Sequence, residues 1–526
     1  MRKESMRLVS AALAVCMTVS MLPVGAAALE TGAAGADTAA AAQEAEQEVR
    51  LAGGETITDE KIAEDGSSGI YTLSESYSNG ITIAATQPVT LNLKGTVTGK
   101  ISGKPLLNVT GTGTVTVNGN DGTFEVEYYS NACASFLEVD NAAADVTVNG
   151  GKYSFPFTSY YGEALFWIKN GTAHLNGVEC VSNSKKLRKA ILNNGTVYVN
   201  GGTFDLKNKT VLDQEGDLDT VATVQNVNIE NGSIYSTNST LNLIDCSINS
   251  DYSGGSSWRA INVDGGALNL KNVKASVSGG YGGGNAIEFK WASHNTKVRI
   301  EDSTISTRGG SNTGINTGLV YGLDLEVDNT TFENCNVGIT VSYQPTVTLK
   351  NVKFINSSWC DVSLSGDCLI TIEKTFTDKA TIRVSDAKDG RRVTTKTATD
   401  HQKDLKLVSG DTDYYIAYQK DDDGEFRYLK KRESSTSFYV NAINAVASTS
   451  DGTALEPYAQ LAVDTPVKLT ADIPENTQVT GWKVEKIAAD GVTEVKDVVK
   501  YDPEHPETAT MTMPDYDVFV TAEYEE

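Results

Sequence analysis

Down the middle of the chain, two aliphatic positions separated by one polar residue lead into a turn residue and then into a further apolar position. The copies include Val146-Thr147-Val148-Asn149-Gly150, Ala173-His174-Leu175-Asn176-Gly177, Val197-Tyr198-Val199-Asn200-Gly201, Leu268-Asn269-Leu270-Lys271-Asn272, Val298-Arg299-Ile300-Glu301-Asp302 and Val347-Thr348-Leu349-Lys350-Asn351. Alternation of this kind is the period of a strand with one buried face. Between neighbouring copies the second aliphatic advances by 22 to 30 residues, as from Val327 to Leu349 and from Leu270 to Ile300. A fixed step of that size predicts a stacked solenoid, in which each coil buries its apolar side only against the next.

The residues two places beyond the second aliphatic are Gly150, Gly177, Gly201, Asn231, Asp245, Asn272, Asp302, Asn329 and Asn351. These residue types tolerate positive φ best, so they predict a tight bend in every coil. Val178, Phe204, Val273, Ile305, Phe332 and Phe354 then begin a second inward-facing strand. Phe136-Leu137-Glu138-Val139, Ala164 to Ile168, Ala190-Ile191-Leu192, Ala260 to Val263, Ala286 to Phe289 and Val337 to Val341 mark a third. Three strands per coil give a roughly triangular cross-section with parallel pairing between coils. Ile229 and Leu243 both fit the anchor pattern but stand only 14 residues apart, so the register is least determined over 211–250.

At this point the chain resembles the right-handed parallel β-helix family that includes pectate lyases, polygalacturonases and many bacterial surface proteins. The resemblance covers 55–386 and rests on coil length, turn column and ladders; it implies an all-β, right-handed parallel β-helix. Over 387–434 the pattern breaks into charged residues around two short alternating runs, Asp413 to Tyr418 and Glu425 to Leu429, which predict a hairpin capping the solenoid's open edge. Over 435–526, Gly481-Trp482 and Met513-Pro514-Asp515-Tyr516-Asp517-Val518 resemble the divergent internalin-B-type repeat of Gram-positive surface proteins. That resemblance implies a small β-rich spacer or contact domain, with Trp482 as a core residue.

Before the repeats, Arg2, Lys3 and Arg7 precede an apolar run from Leu8 to Val24 and the small residues Ala26-Ala27-Ala28, which predicts a signal peptide over 1–28 and a secreted or cell-envelope-associated protein. Residues 29–54, rich in Ala, Glu and Gln, read as a disordered leader. No second apolar run approaches membrane-spanning length. The formal net charge of −24 repels phosphate backbones, so nucleic acid is a poor partner. Beyond the signal, Cys133, Cys180, Cys246, Cys335, Cys360 and Cys368 lack a disulfide-scaffold or zinc-site spacing; Cys180 and Cys246 fall in apolar columns and read as buried thiols, while Cys360 and Cys368 flank one strand closely enough to permit a bridge.

No Ser/His/Asp set, phosphate-binding loop or convincing carboxylate pair is present. Asp245, Asp302 and Asp328 lie in or beside the turn column, where the backbone accounts for them, and His174 points outward from a strand. No cofactor is implied, although calcium could be held by loop carboxylates. One feature exceeds structural need: the loops between second and third strands carry Tyr128, Tyr129, Tyr160, Tyr161, Tyr252, Trp258 and Tyr281, which stacking places along one edge. Exposed aromatic faces stack on sugar rings. These residues predict a non-catalytic, adhesin-like protein that binds an extracellular polysaccharide or host or cell-surface glycan. The alternatives are a lyase or glycoside hydrolase on an acidic polysaccharide, with Arg259 or Lys290 as base or charge neutraliser near Asp264 or Glu288, and a purely structural envelope spacer.

Overall fold

The computed structural model describes residues 49–526 apart from 100, 102, 103, 121, 127–134, 156–161, 183–186, 252–258, 279–283, 291–295, 309–311, 319, 374–378, 399–401, 489, 490 and 526. Residues 48–526 form one compact unit. The chain is a parallel β-solenoid of about 11 turns with smaller β-sheets after it.

Each coil contributes a rung to three sheets. On the first, Leu91, Val117, Val148, Leu175, Val199, Val224, Leu243, Leu270, Ile300, Val327 and Leu349 pair in register down the axis and fill the interior. The second carries the column Phe124, Tyr153, Cys180, Phe204, Ile229, Ile248, Ala275, Ile305 and Phe332. The third carries Leu137, Phe166, Ile191, Leu212, Ile234, Ile261, Ile287, Ile315, Ile339, Val362 and Ile382. Like residues stack because parallel in-register strands place identical positions one rung apart, so one sheet's apolar column is a continuous buried stripe.

The bend after the first sheet is made as the turn column predicts: Asp245, Asn272, Asp302, Asn329 and Asn351 hold φ near +50° and Gly150, Gly177 and Gly201 near +60 to +70°. Side-chain amides tie successive bends, with Asn272 Nδ2 donating to Asp245 Oδ1 at 2.7 Å and Asn329 Nδ2 to Asp302 Oδ1 at 2.6 Å. Asn231 is a correction. It does hold positive φ, but the bend of its coil is Asn226, after Val224; Ile229 belongs to the second sheet, and Asn231 turns the chain towards the third. Corners between the third and first sheets can be so tight that one strand assignment spans both, as in Arg259–Lys271. There Gly266, at φ 87°, passes so close that a Cβ would lie 2.1 Å from the Ser239 carbonyl oxygen.

The end of the stretch read as leader belongs to the fold: Arg50 bridges Thr72 and Leu51 is buried. Residues 1–48, including the signal-peptide stretch, lie outside the described residues. A short helix, Asp59–Asp65, follows; Thr58 caps it by accepting from the Lys61 amide and Gly66 ends it in the left-handed region. Its Ile62 packs into the solenoid core.

At the other end the hairpin forms from Tyr414–Asp421 and Gly424–Lys431. Arg392 and Thr397 bridge its second strand in antiparallel fashion, and Thr394 bridges Ile370 of the last coil. The hairpin therefore satisfies backbone groups that an open parallel edge would expose. Beyond it lie a five-stranded and a four-stranded sheet around a core containing Val467, Leu469, Val484, Met511, Met513, Val518 and Val520. Trp482 packs against that core and donates its indole N–H to the Pro506 carbonyl at 2.8 Å, the structural role expected of it.

This last module is docked on the cap. Tyr415 and Ala417 of the hairpin share one buried cluster with Tyr439, Tyr458, Ile487 and Phe519. Arg432 forms a two-pronged ion pair with Asp517, and Lys406 Nζ lies 2.6 Å from Glu485 Oε2. Arg427, fully buried, stacks 4.5 Å from the Tyr458 ring centre and donates to the Leu405 carbonyl.

Candidate functional site

All seven loop aromatics, Tyr128, Tyr129, Tyr160, Tyr161, Tyr252, Trp258 and Tyr281, lie outside the described residues. A connection between second and third sheets is described in a later coil. Between second-sheet strand Lys353–Ile355 and third-sheet strand Cys360–Leu364 the connection ends in Trp359, whose side chain is 48% exposed. The loop is seated on the coil before it: Asn356, at φ 58°, donates to Asn334 Oδ1, the Ser358 hydroxyl donates to Asn336 Oδ1 and the Trp359 amide to the Asn336 carbonyl.

Trp359 borders a cleft of about 540 Å³ lined by Asn356, Ser357, Ser358, Asp361, Thr381 and Val492 among others. That size and mixture of one large ring with polar groups suits a small ligand or a few sugar units. Asp361, almost fully buried, accepts the Thr381 amide at 2.7 Å and so fixes the cleft floor. The Arg383 guanidinium sits 4.6 Å from the indole centre. Sequence reasoning passed over Trp359, yet its place between second and third strands is the slot that singled out Tyr252 and Trp258.

The lyase or hydrolase candidates are only partly brought together. Arg259 and Glu288, on adjacent rungs of the third sheet, form a direct ion pair. Lys290 stands 5.2 Å over the Tyr235 ring, and its amide bonds the Val263 carbonyl beside Asp264. The carboxyl groups displaced from their ordinary values, Asp59, Asp421, Asp451 and Glu485, all move down: the first three through hydrogen bonds from Thr86, Lys396 and Thr449, the last because Lys406 and Lys483 outweigh the upward push of burial.

His174 does point outward, stacking on Tyr198 at 4.9 Å with Nε2 3.4 Å from Asp145 Oδ1. Cys180, Cys246, Cys335, Cys360 and Cys368 are all free and buried, so the bridge permitted between Cys360 and Cys368 is absent; Cys133 lies outside the described residues. Burial pushes the Cys335 thiol up to about 11 and Cys360 to about 12. Among the described residues no group of three or more His, Cys, Asp or Glu could hold a metal ion, and no helix is long and apolar enough to cross a membrane.

No protein-family profile matches the chain, and no curated protein matches it. Among solved structures, the catalytic domain of a GH87 alpha-1,3-glucanase in complex with nigerose is similar over 64% of this chain and 68% of that one, at 12% identity and a TM-score of 0.25. A substituted form of that domain, also with nigerose, is similar over 62% and 66%, at 12% identity and a TM-score of 0.24. Likeness of that degree carries no chemistry to this chain.

Proposed function

We propose that this is a secreted, cell-envelope-associated β-solenoid that binds extracellular glycan without turning it over, its C-terminal module serving as a spacer or contact domain. The observation that carries the reading is Trp359: a half-exposed indole above a polar cleft, on the edge where seven further aromatic residues recur in sequence. A half-exposed indole offers a flat apolar surface on which the C–H face of a sugar stacks while its hydroxyls reach the cleft's polar groups. The apolar run at residues 8–24 and its small-residue exit support export.

The test incubates the chain lacking residues 1–28, with calcium, against dextran, glucomannan, galactan and polygalacturonate, recording retained protein and released fragments. Saturable retention without fragments supports the reading. New reducing ends or unsaturated products would replace it with the enzyme reading and direct attention to Arg259 and Lys290; absence of retention on every polymer would leave a structural spacer.

A further inference from the structure

Across the last coils, the outer side of the third sheet offers more than a single indole. Trp359 enters the strand Cys360–Leu364 at one end. At the other end of that sheet, where the chain bends towards the first, Tyr321 and Tyr343 stand on successive coils, 70% and 45% exposed, with ring centres 5.9 Å apart and nearly perpendicular. Tyr343 and the following Gln344 both hold positive φ, 63° and 57°, a conformation that bulky side chains avoid. Neighbouring coils hold the bend there: the Ser342 amide donates to Thr317 Oγ1, the Thr317 hydroxyl to the Ser342 carbonyl, and the Gln344 amide to Cys368 Sγ. Strain maintained in this way marks a position whose side-chain placement is being fixed.

Midway between the two aromatic ends, the strands of the Tyr343 and Trp359 coils present Thr340 and Ser363, paired in register and half-buried, with Asn316 and Arg383 at the same position on the rungs to either side. These four positions carry no carboxylate; the rung before Asn316 carries Glu288, ion-paired with Arg259, and Asp361, on the same strand as Ser363, is taken up by the Thr381 amide. The hydroxyls of Thr340 and Ser363 and the guanidinium of Arg383 have no hydrogen-bond partner among the described residues, apart from the stacking of Arg383 on Trp359. Trp359 is level with Asn336 of the coil before it, seven residues ahead of Tyr343, so a strand rise of about 3.3 Å per residue puts the two ends up to about 23 Å apart, about the length of a few linked sugars.

From this geometry we infer that the third-sheet face of the last coils is a track for one linear polysaccharide chain, laid along the strands with rings stacked at Trp359 and at Tyr321/Tyr343 and hydroxyls on the floor between. The inference rests on the glycan-binding reading and adds the path, the minimum length and the second platform. A ligand reaching both ends gains the second contact at high effective concentration, so affinity rises in a step once the oligomer spans the track.

The experiment measures affinity for oligosaccharides of increasing length, from disaccharide to octasaccharide, prepared from glucomannan and from polygalacturonate, using the chain lacking residues 1–28, its Tyr321→Ala/Tyr343→Ala variant and its Trp359→Ala variant. The unsubstituted chain should gain about tenfold or more between short and spanning lengths. The double tyrosine variant should lose that step and keep short-oligomer binding. Both tyrosines are exposed, so the variant should unfold at the same denaturant concentration as the parent. A step that persists in the tyrosine variant, or no step at all in the parent, overturns the track while leaving the glycan reading in place. Failure to bind an oligomer of any length overturns both.

Discussion

At the scale of single residues, the solenoid depends on side chains that accept a left-handed backbone and bond to the next coil at the same time. Asn329 shows both: φ 45°, and an amide 2.6 Å from Asp302 Oδ1. Replacing it with alanine puts a Cβ without compensating hydrogen bond in the left-handed region and removes the bond, a loss of about 1 to 2 kcal/mol. Asn329→Gly keeps the backbone freedom and should cost about half as much. Denaturant midpoints of the two variants check this, and equal destabilisation by Ala and Gly would show that φ is not the limiting requirement.

At the scale of elements, the last solenoid strand and the C-terminal sheets are joined by Lys406 to Glu485, with Lys483 on the second oxygen at 3.0 Å. Burial alone would raise the Glu485 carboxyl, but the two ammonium groups hold it below its ordinary 4.5. A carboxyl lowered in the folded state contributes stability above its unfolded value, and that contribution fades as pH falls below about 4.5. Acidification should therefore loosen the docked module before the solenoid unfolds, seen as faster proteolysis near residues 432–436. Glu485→Gln should make that cleavage rate flatter with pH; an unchanged profile would show that the junction rests on its other contacts, the Arg432–Asp517 pair and the aromatic cluster.

How much of this could be read from the chain differs by element. The three strand columns and the bend were legible because stacking repeats one chemical demand in every coil, as at Asn272, Asp302 and Asn329. The bend at Asn226 was not, since Ile229 and Asn231 imitate the anchor and turn five residues later, and only pairing with Phe204 and Ile248 assigns Ile229 to the second sheet. The helix Asp59–Asp65 is too short for a periodic signal, although Thr58 and Gly66 bracket it. Trp359 was missed because its loop, Asn356-Ser357-Ser358, is too short to attract notice. The aromatic interface through Tyr415, Tyr439, Tyr458 and Phe519 joins residues about a hundred positions apart, which no local pattern records.

At the scale of the molecule, the solenoid, its hairpin cap and the terminal sheets form one compact unit, with buried Arg427 and the Arg432–Asp517 pair at the join. A stack of this kind holds successive coils in fixed register. The net charge of −24 favours solubility and discourages indiscriminate capture of anionic polymers, so retention should depend on particular rings rather than on bulk charge. The most direct measurement compares the intact edge with Trp359→Ala on the polysaccharide the parent chain retains best. The variant should unfold at the parental midpoint and bind at least about tenfold more weakly, a loss of about 1.4 kcal/mol or more; undiminished affinity would contradict glycan recognition by this edge.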